Sequence, residues 1–211
     1  MNVVNSKTDI CNMALDYIGV KNITSFDEDT KAGLECRRWY DLVRKELLIN
    51  LNASFSIARA VLSVDLNYKS ISVDDKCYGY ENAFVLPKDC LFVLNVGDML
   101  NVTEKQIEGK YLFADFVDNC PIRYIKDVTD ISSYDAGFVK LFALKLAEQI
   151  CFPLTNDNER TNYIMQLAER QYIYASSKYG NDNKITVVNI PRFRNSRHNR
   201  SIVPTSNRIV R

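Results

Sequence analysis

Few residues in this chain are spaced for acid–base or covalent chemistry. The acidic runs Asp27-Glu28-Asp29 and Asp74-Asp75 are the candidate carboxylate pairs, since a glycosidase or metal hydrolase needs two acids held at a set separation. The first run precedes a helical pattern, where acids suit the positive end of the helix dipole, and the second lies in a polar turn. Helix cap and solvated loop are therefore the preferred readings of the two. The single histidine, His198, lies among arginines with no fixed partner in sequence, so histidine-based nucleophilic catalysis is not indicated. No Gly-Lys-Ser/Thr phosphate loop or Gly-x-Gly-x-x-Gly turn occurs. The six cysteines, Cys11, Cys36, Cys77, Cys90, Cys120 and Cys151, form no Cys-x-x-Cys pair, which with one histidine excludes the usual zinc spacings. Cys11, Cys36 and Cys151 fall on or beside apolar helical faces, where a free thiol packs as a small hydrophobe, and this implies a reducing compartment. The expectation is a protein without enzymatic activity, cofactor or metal.

Charge is distributed unevenly. Beyond Asp182 there is no acidic residue, while Lys184, Arg192, Arg194, Arg197, Arg200, Arg208 and Arg211 are basic. Removing those seven positive charges from the total of +1 leaves the first 182 residues at −6. An acidic body carries a basic tail, and three readings of the tail fit equally: solvated charge, an arm for nucleic acid, or a peptide that docks on an acidic protein. The tail is poor in large apolar groups and should be extended or disordered in the isolated subunit, ordering on assembly of a largely monomeric chain. Ile185, Val187, Val188 and Ile190 are the exception and could add a strand to a neighbour.

The elements that position these residues follow from periodicity. At 46% hydrophobic and 25% charged residues, the chain can bury a real core. Its longest apolar run, residues 138–150, is broken by Lys140, Lys145 and Glu148, so no membrane span is predicted. The polar residues 1–9 do not read as a secretory signal, and the chain looks cytosolic when made. Ser6-Lys7-Thr8-Asp9 is a capping-box pattern before Ile10, Met13, Ala14, Tyr17 and Ile18, and Gly19 supplies a left-handed stop, which predicts a helix over 7–18. A second, with Ala32, Cys36, Trp39, Tyr40, Val43 and Leu47 on one stripe, is predicted over 29–51. Residues 55–128 are rich in Val, Ile, Tyr and Phe between turn signals and predict strands. Within them Glu108-Gly109 suits a tight hairpin, and Ile122, Tyr124 and Lys126 share one strand face, with Arg123 and Ile125 on the other. Tyr68, Tyr78, Tyr80, Tyr111 and Tyr124 concentrate here; such rings favour interfaces, but sheet packing is the preferred reading of any one of them. Phe138, Leu141, Phe142, Leu146 and Ile150 predict a third helix over 134–151, ended by Pro153. Asn156-Asp157-Asn158-Glu159 offers a cap to a fourth over 156–179, which carries Tyr163, Leu167, Tyr174 and Ala175. The fold expected is mainly α with a small β module: an antiparallel bundle of about four helices, a strand-rich insert between helices two and three, and an extended arm.

One resemblance is specific in its order. The run Asp9-Ile-Cys-Asn-Met-Ala-Leu-Asp-Tyr-Ile-Gly19, then Ile23-Thr-Ser-Phe-Asp-Glu-Asp29, then Ala32, Cys36-Arg37, Tyr40-Asp41, Arg44 and Leu47-Leu48 resembles the opening of the phage tail tubular protein A family. Phe55, Arg59, Leu86-Pro-Lys-Asp-Cys-Leu-Phe-Val-Leu94, Gly109, Arg123-Tyr124, Phe138, Ala143-Leu144, Leu146-Ala147 and Leu154-Thr155 follow in the family's order. The resemblance covers roughly residues 7–180. One departure is Ala53, where the family commonly has tryptophan. The resemblance implies a bacteriophage virion protein, a head-to-tail adaptor made in the host cytoplasm. Its domain is expected over 1–180, forming a dodecameric ring under the portal protein that extends the DNA channel and carries the tail nozzle or fibre proteins. The tail over 181–211 is then the arm that clasps the portal, although its residues do not align with the family. An acidic body suits a DNA conduit, because like charge keeps passing phosphates from sticking.

Overall fold

The computed structural model describes residues 4–69, 79–97 and 105–182. Four long helices flank two small antiparallel sheets, so the fold mixes helix and strand and is not a purely helical bundle. Among the described residues, no helix is long and apolar enough to cross a membrane.

Helix α1, Lys7–Ile18, begins as its sequence predicts. Ser6 Oγ accepts from the Asp9 N–H at 3.1 Å while the Asp9 carboxylate accepts from the Ser6 N–H at 3.0 Å, so two otherwise orphaned donors are satisfied reciprocally. Gly19 ends it with φ +67°, and its N–H returns to Asp16 and Leu15 carbonyls. The inward stripe is Ile10, Cys11, Ala14, Leu15 and Ile18; Met13 is only partly covered and Tyr17 faces outward, so the predicted face was rotated by about one residue. The loop that follows is clamped by Asn12, whose side chain both donates to Ile23 O (3.0 Å) and accepts from Ile23 N (2.9 Å).

Helix α2, Lys31–Leu51, starts later than the acidic run suggests, because its cap is Thr30, whose Oγ1 accepts from the Gly33 N–H at 3.2 Å. Glycine is needed at position 33 for room: a Cβ there would lie 2.3 Å from Glu28 O. Asn52, left-handed at φ 49°, closes the helix.

A 3-10 turn, Ser54–Ser56, leads into strand β1, Ile57–Ser63, in a stretch where the sequence pattern loosens. After the one-turn helix α3, Leu66–Lys69, come β2 (Asn82–Val85), β3 (Cys90–Val96), β4 (Lys105–Glu108), β5 (Tyr111–Ala114) and β6 (Asn119–Lys126). They form two antiparallel sheets of order β1-β6-β3 and β2-β5-β4, joined by a bridge between Val64 and Phe84. The predicted hairpin is β4–β5, with Gly109 at φ +57° as the two-residue turn requires. Pro121 is tolerated inside the central strand β6. Its carbonyl accepts from Gly97 N at 2.8 Å, so its missing N–H points to the same side, past the last ladder pair of β3.

Strand β6 also divides two cores. Cys120, Ile122 and Tyr124 pack with Leu62, Phe84, Val93 and Leu112 between the sheets. Ile125 on the opposite face joins the helical core, as the predicted alternation requires. Lys126, placed by that alternation with Ile122 and Tyr124, is exposed at the strand's end.

Helix α4, Ala136–Thr155, is capped by Asp135 and packs against α1, α2 and α5. Phe138, Leu141, Phe142, Leu146 and Ile150 are fully buried on it, as predicted. Pro153 does not end the helix. It sits in the last turn, where only one intrahelical bond is lost, and Asn156 at φ 54° makes the stop, its N–H donating to Phe152 O at 2.9 Å. Asp157 then caps α5, Asn158–Asp182, by accepting from Arg160 N at 3.0 Å, two residues after the predicted start. The buried face of α5 is Ile164, Ala168, Ala175 and Tyr179, with Leu167 partly covered; of the other residues singled out on this helix, Tyr163 and Tyr174 are 61% and 67% exposed. Small alanines against α4 permit close helix approach, and the larger rings are left outside.

All five described cysteines are free thiols, four of them buried and Cys90 half-buried; Cys77 lies outside the described residues. Burial pushes the Cys120 thiol up to about 12.

Candidate functional site

The predicted arm residues Lys184, Arg192, Arg194, Arg197, Arg200, Arg208 and Arg211 lie outside the described residues, as do Ile185, Val187, Val188, Ile190 and His198. The point from which they continue is well defined. Tyr179, near the end of α5, is buried, and its hydroxyl donates to the Asp135 carboxylate that also caps α4 through Phe138 N at 2.9 Å. Lys178 Nζ lies 3.3 Å from the same carboxylate. Burial opposes ionisation of Asp135, but the hydrogen bonds from Tyr179, Phe138 N and Lys178 outweigh it and hold the carboxyl below its ordinary range. The Phe55 ring stands 5.1 Å from Phe138, 5.6 Å from Tyr134 and 6.5 Å from Tyr179, so an aromatic cluster backs the polar knot.

A second joint couples helices to sheet. Arg44 of α2, 3% exposed, donates to the Asp127 carboxylate, to Val128 O at 2.8 Å and to Asp41 at 3.2 Å. Tyr134 donates to the same Val128 carbonyl at 2.7 Å. Burial works against the Arg44 charge, and the Asp127 carboxylate more than restores it, holding its pKa above the usual value. Periodicity places position 44 beside the apolar stripe, but only the fold shows that its partner follows β6.

The acids of the first run are engaged locally rather than gathered into a pair. Glu28 accepts from the Thr24 N–H and hydroxyl at 2.7 and 2.8 Å, which hold its carboxyl below the usual range, and Asp29 pairs with Arg37 at 3.2 Å. The Asp27 N–H donates to Ser25, and Asp74-Asp75 lie outside the described residues. Three other carboxylates, Glu46, Glu148 and Glu169, do line one groove of about 250 Å³ between α2, α4 and α5, where Lys145 pairs with Glu148 at 2.9 Å. Among the described residues, no group of three or more His, Cys, Asp or Glu side chains is arranged to hold a metal ion.

Of the tyrosines, Tyr124 is buried, donating to Asp89 at 3.3 Å, while Tyr68, Tyr80 and Tyr111 pack on Phe113 and Ala83 at the outer face of the second sheet. Tyr78 lies outside the described residues. A basic feature stands on the first sheet: Arg59 of β1 and Arg123 of β6 are register partners, and Asn95 of β3 is the partner of Arg123 on its other side. The sequence carries Arg59 and Arg123 far apart within apolar alternation, and nothing local shows that they meet. No family model and no curated protein matches the chain.

Proposed function

We propose that this chain is a structural bacteriophage protein, a head-to-tail adaptor whose copies form a dodecameric ring beneath the portal in the virion neck. The ring extends the DNA channel and offers a platform to tail nozzle or fibre proteins. The observation that carries this reading is the ordered resemblance to the tail tubular protein A family, running from Asp9 to Leu154-Thr155. In this reading the four long helices make an antiparallel bundle, the strands of residues 55–128 are an insert mounted on it, and residues 181–211 are the arm. Two features support the arm's role. The body to Asp182 carries −6 while the chain beyond it carries seven positive charges, so the arm suits an acidic protein surface. It also continues from a helix whose end is fixed by Tyr179 and Asp135, which gives a docking segment a defined origin.

The test is co-sedimentation with the cognate portal at low and high salt, comparing the full chain with one truncated after Asp182. Ring-stoichiometric capture of the full chain, lost on truncation, is expected. Capture of neither form, with retention on duplex DNA that weakens by a log-log slope of about −0.9 per phosphate contact, overturns the reading in favour of a nucleic-acid-binding protein acting through its basic tail.

A further inference from the structure

We propose that copies of this chain meet side to side through the two flanks of α5, the groove at Lys140 and Arg170 of one copy receiving the rim at Glu46 and Glu169 of the next. The contact rests on the ring reading and names the surfaces through which its copies meet.

The receiving groove, about 300 Å³, is lined by Tyr17 of α1, Lys140 and Leu144 of α4, and Leu167, Arg170 and Gln171 of α5. None of these is acidic, although the body as a whole carries −6. Helical spacing extends the surface along α5. Tyr163 stands one turn before Leu167 and Tyr174 one turn after Arg170, and both rings are exposed. Lys140 and Leu144 are likewise one turn apart on α4. Exposed tyrosines and two exposed cations therefore share a strip about 16 Å long, the rise of the helix from Tyr163 to Tyr174. A tyrosine covered by a partner contributes apolar area and keeps its hydroxyl for the rim, which an isolated subunit does not exploit here.

The other flank of α5 carries the complement. The helix rests on α4 and touches both α1 and α2, and on the α2 side lies the groove of about 250 Å³ floored by Val43, Leu47 and Tyr172. There the pattern repeats with its charge reversed. Leu42 stands one turn before Glu46 on α2, and Met165 one turn before Glu169 on α5, all four exposed. Lys145 is held by Glu148 at 2.9 Å, so the rim presents Glu46 and Glu169 outward. Apolar and acidic positions on two helices thus oppose apolar and basic positions on two helices. One copy cannot bring them together, because its own α4 and α5 stand between the flanks. Two copies can, and different surfaces meeting head to tail form the heterologous contact that closes into a ring by rotation. DNA is the poorer occupant of the basic groove: two cations are few for a phosphate backbone, and the −6 body opposes its approach. The basic arm suits the acidic rim but not Lys140 and Arg170, so it needs one flank where a second copy needs both. Exposed charge pairs contribute little each, and the contact is weak and reversible between free copies.

Sedimentation velocity of the full chain at low salt, over rising concentration, tests the proposal. The unaltered chain should associate reversibly. Lys140→Glu with Arg170→Glu, or Glu46→Lys with Glu169→Lys, should weaken association at least ~10-fold, and all four changes together should restore it. Tyr163→Ser with Tyr174→Ser, which alters no charge and removes only exposed rings, should weaken it too, and this keeps the test sound if a charge variant fails to fold. Association that ignores these changes, a combined variant that is not restored, or a chain monomeric at every concentration overturns the contact. Sensitivity to the acidic rim alone also overturns it, since the arm is then the occupant. So does binding of labelled DNA that is lost in Lys140→Glu with Arg170→Glu. Portal capture of the same variants separates the two proposals: capture without charge-dependent self-association sinks this contact alone, and the converse sinks the adaptor reading alone.

Discussion

At Asp135 one carboxylate serves two helices: it caps α4 and receives Tyr179 and Lys178 from α5. Its pKa is lowered in the folded chain, so the folded state prefers the ionised form more than the unfolded state does. The stability this contributes is fully present above the ordinary carboxylate range, near pH ~4, and is lost as pH falls through the lowered folded value. Asp135→Asn should therefore flatten the acid limb of a urea-midpoint-against-pH curve while lowering stability at neutral pH. An acid limb of unchanged slope would assign that limb to other carboxylates, of which Asp9, Glu28 and Asp130 are also shifted down. Lys178 is half exposed, so Tyr179 and the Phe138 N–H carry more of the effect than it does.

At the scale of elements, the turn between α4 and α5 is specified by two adjacent residues with different tasks. Asn156 takes the left-handed conformation that ends one helix, and Asp157 accepts the N–H that starts the next. Asn156→Gly should be close to neutral, whereas Asn156→Ala should cost about 1–2 kcal/mol, because a side chain without a local hydrogen-bonding group is strained at positive φ. Urea denaturation of the two variants measures the difference. The same turn shows what was legible in the sequence. The run from 156 to 159 announces a helix start, but Asn and Asp are both good caps, and only the backbone decides that the first closes α4. Ser6-Asp9 and Glu108-Gly109 were readable because each signal is complete within four residues and has one geometric solution. The α5 face was not, since large rings dominate a periodicity count while helix approach favours alanine at 168 and 175. The arginine pair was least accessible of all, since strand order places it and no local spacing reports that order.

For the whole molecule, the described chain closes its own cores. The helical core takes in Tyr179 as its last residue, and the inter-sheet core is completed by strands that end at Lys126. Truncation after Asp182 removes seven positive charges and leaves every described member of both cores in place, so the thermal midpoint should move by no more than about 1–2 °C, the range of a neutral surface change. Replacing the single ring of Tyr179 by alanine should do far more. It empties a fully buried site beside Phe55 and leaves Asp135 without its hydroxyl donor, a loss of about 3–5 kcal/mol on the scale of buried aromatic truncations. The two variants together separate anchoring from docking. A truncated chain that melts with the full chain yet fails to reach the portal places the missing segment in binding, whereas one that melts early makes it part of the fold and removes the charge-segregated arm on which the adaptor reading depends.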